Sequence, residues 1–178
     1  MILYHVAIVT SPDYLARRDE HREAHLRRLL ELRARGFVVG GGPAPDGRSA
    51  EVFYRVPDEA ALKTLIEEDP YFAGALWTGW QPRAFDQFLD PRETPALVTD
   101  GSRRVSLVEG RAPDVDLASF ALVEARAAGR MAFGGFFGGG DTLAVMRTAD
   151  GAEAARWLDE TGLWAAEILS TRPLLHVL

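Results

Sequence analysis

The four histidines are the side chains best suited to proton transfer, because an unperturbed imidazole has a pKa of about 6.5. His21 and His25 are four residues apart in the segment HREAH, so on a helix they would share one face, as two metal ligands can. The segment lacks the glutamate placement of the HExxH metal motif, and we expect no metal there. His5 and His176 lie in apolar, strand-like segments and are expected to be packing or surface residues.

Positive charge and backbone N–H groups are two further sources of anion binding. Three arginines precede His25, and their charge could steer an acidic substrate toward it; they are Arg17, Arg18 and Arg22. A solvated helix face that pairs with neighbouring carboxylates is the other interpretation. Gly40–Gly42 could let N–H groups approach an anionic oxygen, or could mark a strand end with unusual backbone angles. No glycine run has the context of a nucleotide-binding motif, so we expect no cofactor.

Composition and charge narrow the class of protein. The chain of 178 residues is 47% hydrophobic and 26% charged, which is typical of folded globular proteins. Twenty basic and twenty-six acidic residues give a net charge of −6, which disfavours nucleic acid and anionic membranes as partners. Cysteine is absent, which excludes disulfides and thiolate chemistry. The first residues do not have the pattern of a signal peptide, and we expect a cytoplasmic protein.

The first half of the chain predicts a βαββαβ order of elements. The helix that contains His25 is free of Gly and Pro from Asp13 to Gly36, and a second helix has to end near Asp69 because Pro70 follows. The predicted segments are a strand at 1–10, the helix to Gly36, two strands around residues 37–56, a helix from Asp58, and a last strand over Trp77–Leu89. This order is the ferredoxin-like plan.

The same order starts again after a loose segment. Residues 90–102, DPRETPALVTDGS, have the composition of a linker, and residues 103–178 repeat the pattern with a last strand over Leu174–Leu178. RARGFVVGGG can also be aligned with ARAAGRMAFGG at an offset of about ninety residues. We therefore predict an α+β protein of two tandem ferredoxin-like domains, 1–89 and 103–178, packed as an intramolecular dimeric α/β barrel.

Several separated elements of the first half resemble the YCII-related (YciI-like) family of dimeric α/β-barrel proteins. They are His25 before a leucine-rich stretch, the Gly42-Pro43 pair, and DPYFAGALW from Asp69, followed by Trp80, Pro82 and Phe85. The resemblance spans roughly residues 1–89 and implies an active site of a helix histidine and the aspartate of the DP motif, here His25 and Asp69. In the second half, those positions fall near Ala118 and near Glu160 or Thr161. The second half is therefore expected to be a degenerate copy without this pair.

The resemblance implies acid–base chemistry at one site per chain. Asp69 would orient the His25 imidazole and raise its pKa, while His25 moves a proton on or off a substrate. A protonated His25 would compensate the negative charge of Asp69 at a helix C-terminus. An ordinary hydrogen bond that ties two helices together is the alternative role for the pair.

A small cyclic or aromatic oxygenated metabolite is the expected substrate, in a lyase, isomerase or dehydrochlorinase type of reaction. Its binding residues are expected to be Arg22, Gly42, Pro43, Tyr71 and Trp77. The alternative function is a non-catalytic module of the same fold that binds a small molecule or a protein. Whether two such pseudo-dimeric chains pair as a homodimer stays open.

Overall fold

A computed structural model describes all residues, 1–178. These residues form two compact units. The first unit comprises residues 1–84 together with Val177–Leu178, and the second comprises Phe85–His176. The elements of the first unit are β1 (Ile2–Thr10), α1 (Tyr14–Ala34), β2 (Val38–Pro43), β3 (Ser49–Val56), α2 (Glu59–Glu67), α3 (Pro70–Ala73) and β4 (Trp77–Ala84).

The sheet of the first unit is antiparallel, with strand order β2-β3-β1-β4. Val6 pairs with Val52 and Tyr4 with Tyr54, so these residues share one face of the sheet, and all of them are buried. Tyr54 lies near enough to Asp69, at the start of α3, to be affected by its charge. This face therefore carries the helices and forms the core that surrounds the candidate site.

The second unit begins with an additional short strand and then follows the same βαββαβ order. Its elements are β5 (Gln87–Leu89), β6 (Arg104–Arg111), α4 (Val115–Ala127), β7 (Met131–Phe136), β8 (Asp141–Met146), α5 (Gly151–Asp159) and β9 (Ser170–Leu175), with short 3-10 helices at Gly138–Gly140 and Ala166–Ile168. The sheet order is β5-β7-β8-β6-β9. Its core is apolar and includes Ala118, Leu122, Met146 and Trp164.

Both units thus confirm the α+β fold of tandem ferredoxin-like repeats. That the two sheets pack as one intramolecular barrel stays a prediction. The predicted domains, 1–89 and 103–178, differ from the two units because residues 85–102, including the predicted linker, belong to the second unit and the last two residues belong to the first. No helix has the length and apolar character that a membrane crossing needs.

Two predicted strands need correction. The run Trp77–Leu89 is not one strand, because β4 ends at Ala84 and the residues of β5 pair with β7 in the other sheet. Phe85 breaks the run by stacking on Phe137, with ring centroids 4.2 Å apart. The last strand is Ser170–Leu175 rather than Leu174–Leu178. It includes Pro173, which is tolerated because β9 is an edge strand.

One glycine of β2, Gly41, is required by the backbone. Gly41 has φ +140°, and a Cβ there would overlap the carbonyl oxygen of Glu51 on the paired strand β3. The Gly41 carbonyl also accepts hydrogen bonds from the N–H groups of Val177 and Leu178, at 3.0 and 3.3 Å. The structural interpretation of this glycine run therefore has direct support.

Gly41→Ala is expected to destabilise the protein by more than about 2 kcal/mol, because the added Cβ forces the β2–β3 pairing apart at a strained φ. The control is Gly79→Ala on β4, where a Cβ would meet no atom within 4 Å. Urea unfolding followed by circular dichroism measures both variants. Equal stability of the two variants would contradict this account of β2.

Candidate functional site

One face of α1 carries a row of polar and aromatic side chains. Tyr14, Arg18, His21, Arg22 and His25 are spaced at three or four residues, which places them along one face of the helix. Tyr14 and His25 are buried, and the three residues between them are partly buried. Burial on this face therefore begins at the first turn of α1, with Tyr14.

Asp69 stands at the junction of α2 and α3. Its Oδ1 accepts a hydrogen bond from the backbone N–H of Tyr71 at 2.9 Å, and Pro70 occupies the first turn of α3. The carboxylate is therefore the N-cap of a short helix, where backbone N–H groups stabilise negative charge. Asp69 directly follows the C-cap of α2, as the sequence predicted, and its role as the N-cap of α3 is an addition that the sequence analysis did not foresee.

His25 and Asp69 form a buried hydrogen bond. His25 Nδ1 lies 2.7 Å from Asp69 Oδ1, and the two residues are 7% and 1% exposed. An ionised carboxylate only accepts hydrogen bonds, so the ring Nδ1 carries the proton. The other ring nitrogen, Nε2, has no hydrogen bond within the chain, while the side chain keeps 9% of its surface exposed. The lone pair of Nε2 is therefore available to an external molecule.

Aromatic rings enclose the imidazole. Tyr71 stacks on His25 with ring centroids 3.9 Å apart and planes 17° apart, and Trp77 meets it edge-on at 5.3 Å. Tyr14 in turn contacts the edge of Tyr71 at 5.6 Å. The structure thus brings together His25, Asp69, Tyr71 and Trp77, all of which the sequence singled out. Tyr71 and Trp77 are nearly buried, so they fix the ring and limit its contact with water.

Three tyrosines around the pair are held in the neutral form. Burial raises the pKa of Tyr54, and the negative charge of Asp69 raises it further. Burial likewise raises the pKa of Tyr71 and of Tyr14, while Arg18 acts in the opposite direction on both. At neutral pH these hydroxyls are therefore hydrogen-bond donors as well as acceptors.

Of the other predicted binding residues, only Arg22 lies near His25. Arg22 lies one turn before His25, and its charge acts on the hydroxyls of Tyr14 and Tyr71. Gly42 and Pro43 lie on β2, at the opposite edge of the sheet from Trp77 on β4, and pair with Glu51 and Ala50. The structure therefore does not bring Gly42 and Pro43 to the histidine.

The remaining histidines are not part of this cluster. His21 lies against Gly74, and no group of three or more potential ligands is arranged to hold a metal ion. His5 is buried and lies 2.6 Å from Glu51 through Nε2, and His176 is buried with its ring edge-on to Phe133. Both are inside the protein rather than on its surface.

Sequence reasoning missed two side chains of this cluster. Tyr14 could have been found from its position eleven residues before His25, which places it on the same helix face. Tyr54 had no such signal, because it is one of many apolar residues in a strand and only the packing of α3 brings Asp69 near it.

The second unit has an apolar core where the first has the pair. Ala118 is fully buried in that core. Thr161, at the position expected for the aspartate, donates its hydroxyl to the Leu158 carbonyl at 2.7 Å and so bonds to its own helix. The site with a histidine and an aspartate therefore occurs once per chain.

Fold and site together define a two-unit ferredoxin-like α+β protein with one buried histidine–aspartate pair in its first unit. Residues 2–80 match the family model of the YCII-related domain. The N-terminal half of this chain is thus a YCII-related domain, as the sequence resemblance indicated. No curated protein matches the chain in sequence.

Two solved structures share the fold over the whole chain. A candidate monooxygenase from Lactobacillus acidophilus is 11% identical with a TM-score of 0.62, covering 99% of this chain and 94% of its own. A second candidate monooxygenase, from Fusobacterium nucleatum, is 8% identical with a TM-score of 0.56, covering 99% and 92%. The 5-chloro-2-hydroxyhydroquinone dehydrochlorinase of Burkholderia phenoliruptrix is 20% identical over 46% of this chain and 90% of its own, with a TM-score of 0.40. At these identities the first two structures establish the fold alone.

Tyr54→Phe is expected to reduce the loss of stability in alkaline solution. In the native protein Tyr54 keeps its proton above its ordinary pKa of about 10, whereas in the unfolded chain it loses the proton there. The contribution of neutral Tyr54 to the free energy of unfolding is therefore present below pH 10 and is lost as the pH rises above it. Above pH 10, the free energy of unfolding of Tyr54→Phe should therefore decrease less steeply than that of the wild type, by about 1.4 kcal/mol per pH unit. Urea unfolding of both proteins across this range measures the two slopes. Parallel curves would contradict the assignment.

Proposed function

We propose that this protein is an enzyme whose N-terminal unit uses His25 and Asp69 as an acid–base pair. The substrate is a small cyclic or aromatic oxygenated metabolite, and the reaction is a proton transfer of the lyase, isomerase or dehydrochlorinase type. The observation that carries this proposal is the buried bond between His25 Nδ1 and Asp69 Oδ1, which leaves Nε2 without a partner in the chain.

The proposed roles follow from this arrangement. Nε2 of His25 accepts a proton from a C–H or O–H group of the substrate, and the ring becomes an imidazolium. Asp69 does not take the proton; its carboxylate holds the ring in one orientation and stabilises the positive charge. The imidazolium then returns the proton to another atom of the substrate, or to a leaving group, which completes one turnover.

The surroundings of the pair support this chemistry. Asp69 is held from two sides, by His25 and by the N–H of Tyr71, so its position does not depend on the substrate. Tyr71 packs flat against the imidazole and keeps bulk water from one face of the ring. In such a low-dielectric surrounding, the attraction between imidazolium and carboxylate is stronger than in water.

The match of residues 2–80 to the YCII-related domain is consistent with this proposal but does not identify a substrate. The candidate monooxygenases share the fold, and the fold alone does not transfer their chemistry to this chain. The rival function, a binding module without catalysis, would use the same residues to hold a ligand. The two functions differ in whether the His25 side chain has to exchange a proton.

Proton exchange with solvent tests the proposal directly. The full-length protein is incubated in D2O with a panel of ring lactones and hydroxylated aromatic compounds, and loss of individual C–H signals is followed by proton NMR. We expect exchange or conversion of at least one compound, and a decrease of roughly 10²–10⁴-fold in rate for His25→Gln. Asp69→Asn, which keeps an N-cap residue on α3, should also slow the reaction.

His21→Gln is the matched control, because it removes a partly exposed imidazole one turn away on the same helix. It should leave the rate unchanged. If compounds bind without exchange or conversion, and His25→Gln binds them equally well, the protein is a binding module and the catalytic proposal is wrong.

A further inference from the structure

The side chain of Arg18 has one buried donor nitrogen that makes no hydrogen bond within the protein. This atom is Nε, and the nearest carboxylate is the exposed Asp19, 3.8 Å away. Arg17, one residue earlier, donates to the Gly74 carbonyl at 2.9 Å and to Asp13 at 3.3 Å. Arg28, further along α1, donates to Glu68 at 2.9 Å and to the Leu65 carbonyl at 3.2 Å. Arg18 differs from these arginines because its side-chain hydrogen-bond partner is the hydroxyl of Tyr14 rather than a carbonyl or carboxylate oxygen.

Two buried hydroxyl groups lie beside this cation. Tyr14 and Tyr71 are 5% and 4% exposed, and their rings meet edge to face at 5.6 Å. Their hydroxyls hydrogen-bond to each other, so both lie at one point beside Arg18. The charge of Arg18 acts on both hydroxyls. Tyr71 then stacks on His25 at 3.9 Å, so the cation, the two hydroxyls and the imidazole form one continuous group.

We propose that Arg18 and the hydroxyls of Tyr14 and Tyr71 bind an anionic oxygen of the substrate beside His25. The substrate is then a small ring compound that carries a carboxylate or an ionised hydroxyl group. This assignment rests on the proposed function, because it takes His25 as the group that moves the proton.

The arrangement suits the proposed chemistry. When His25 Nε2 takes a proton from a ring carbon, the C–H bond breaks and its electron pair delocalises onto a conjugated oxygen. A guanidinium and two neutral phenols stabilise that growing negative charge, because all of them donate hydrogen bonds and Arg18 adds a positive charge. The reverse step returns the proton from the imidazolium, so no further reactant is needed.

Binding of simple anions tests this assignment without turnover. The probes are benzoate, 4-nitrophenolate in mildly alkaline solution, and the neutral benzamide, each titrated into the full-length protein by NMR. We expect saturable binding of at least one anion and at least tenfold weaker binding of benzamide. Arg18→Gln should weaken anion binding by roughly 10–100-fold and leave benzamide unchanged.

Arg27→Gln is the matched control for charge. Arg27 is exposed and lies nine residues after Arg18, about half a turn around α1, so it faces away from the site. It should not change binding. Tyr71→Phe, which keeps the ring on His25 and removes the hydroxyl, should weaken binding of the anion by several-fold.

The two anions distinguish the two forms of the anionic oxygen. Binding of benzoate alone assigns a carboxylate, and binding of 4-nitrophenolate alone assigns an ionised hydroxyl. Absence of saturable binding for both, or binding that Arg18→Gln leaves unchanged, overturns the assignment. His25→Gln should retain the anions, so loss of proton exchange in that variant bears on the proposed function and not on Arg18.

Discussion

The hydrogen bond between His25 and Asp69 is the interaction on which the candidate site depends. It joins the middle of α1 to the start of α3, and the same carboxylate oxygen also caps α3 through the Tyr71 N–H. A buried carboxylate is costly unless it is hydrogen-bonded, and here two donors compensate it. Because Tyr71 follows this cap in the chain, its ring is placed against the face of the imidazole. Asp69 therefore fixes the start of α3, the orientation of the His25 ring and the position of Tyr71.

The two units differ in the side chains that they bury at corresponding positions. The first unit buries polar groups there, which pack less favourably than apolar side chains. The second unit fills the corresponding region with an apolar core, where Ala118 is fully buried. An apolar core needs no hydrogen-bond partners, whereas the first unit buries a titratable pair and three tyrosines there. The proposed proton transfer would account for this burial of polar groups, because stability alone would favour the apolar solution of the second unit.

Much of the fold followed from local sequence signals. The long α1, the end of α2 before Pro70 and the repeated βαββαβ order all depend on Gly, Pro and apolar periodicity within short windows. The break between Ala84 and Gln87 did not follow, because both strands read as one apolar run and only pairing with β7 separates them. Similarly, the pairing of His25 with Asp69 needed the family resemblance, since 44 residues separate them in the chain. Arg18 was visible as one of three arginines, but its contact with the Tyr14 hydroxyl and its unbonded Nε depend on three-dimensional packing.

The protonation state of the His25 ring tests the central claim most directly. Nitrogen-15 NMR of the full-length protein, at a pH where the ring is neutral, distinguishes the two tautomers. The account predicts a proton on Nδ1 and a bare Nε2 in the wild type, and a gain of the Nε2–H form in Asp69→Ala. Asp58→Ala is the control, because it removes the N-cap of α2 and makes no contact with the pair. A proton on Nε2 in the wild type, or the same tautomer in Asp69→Ala, would contradict the account.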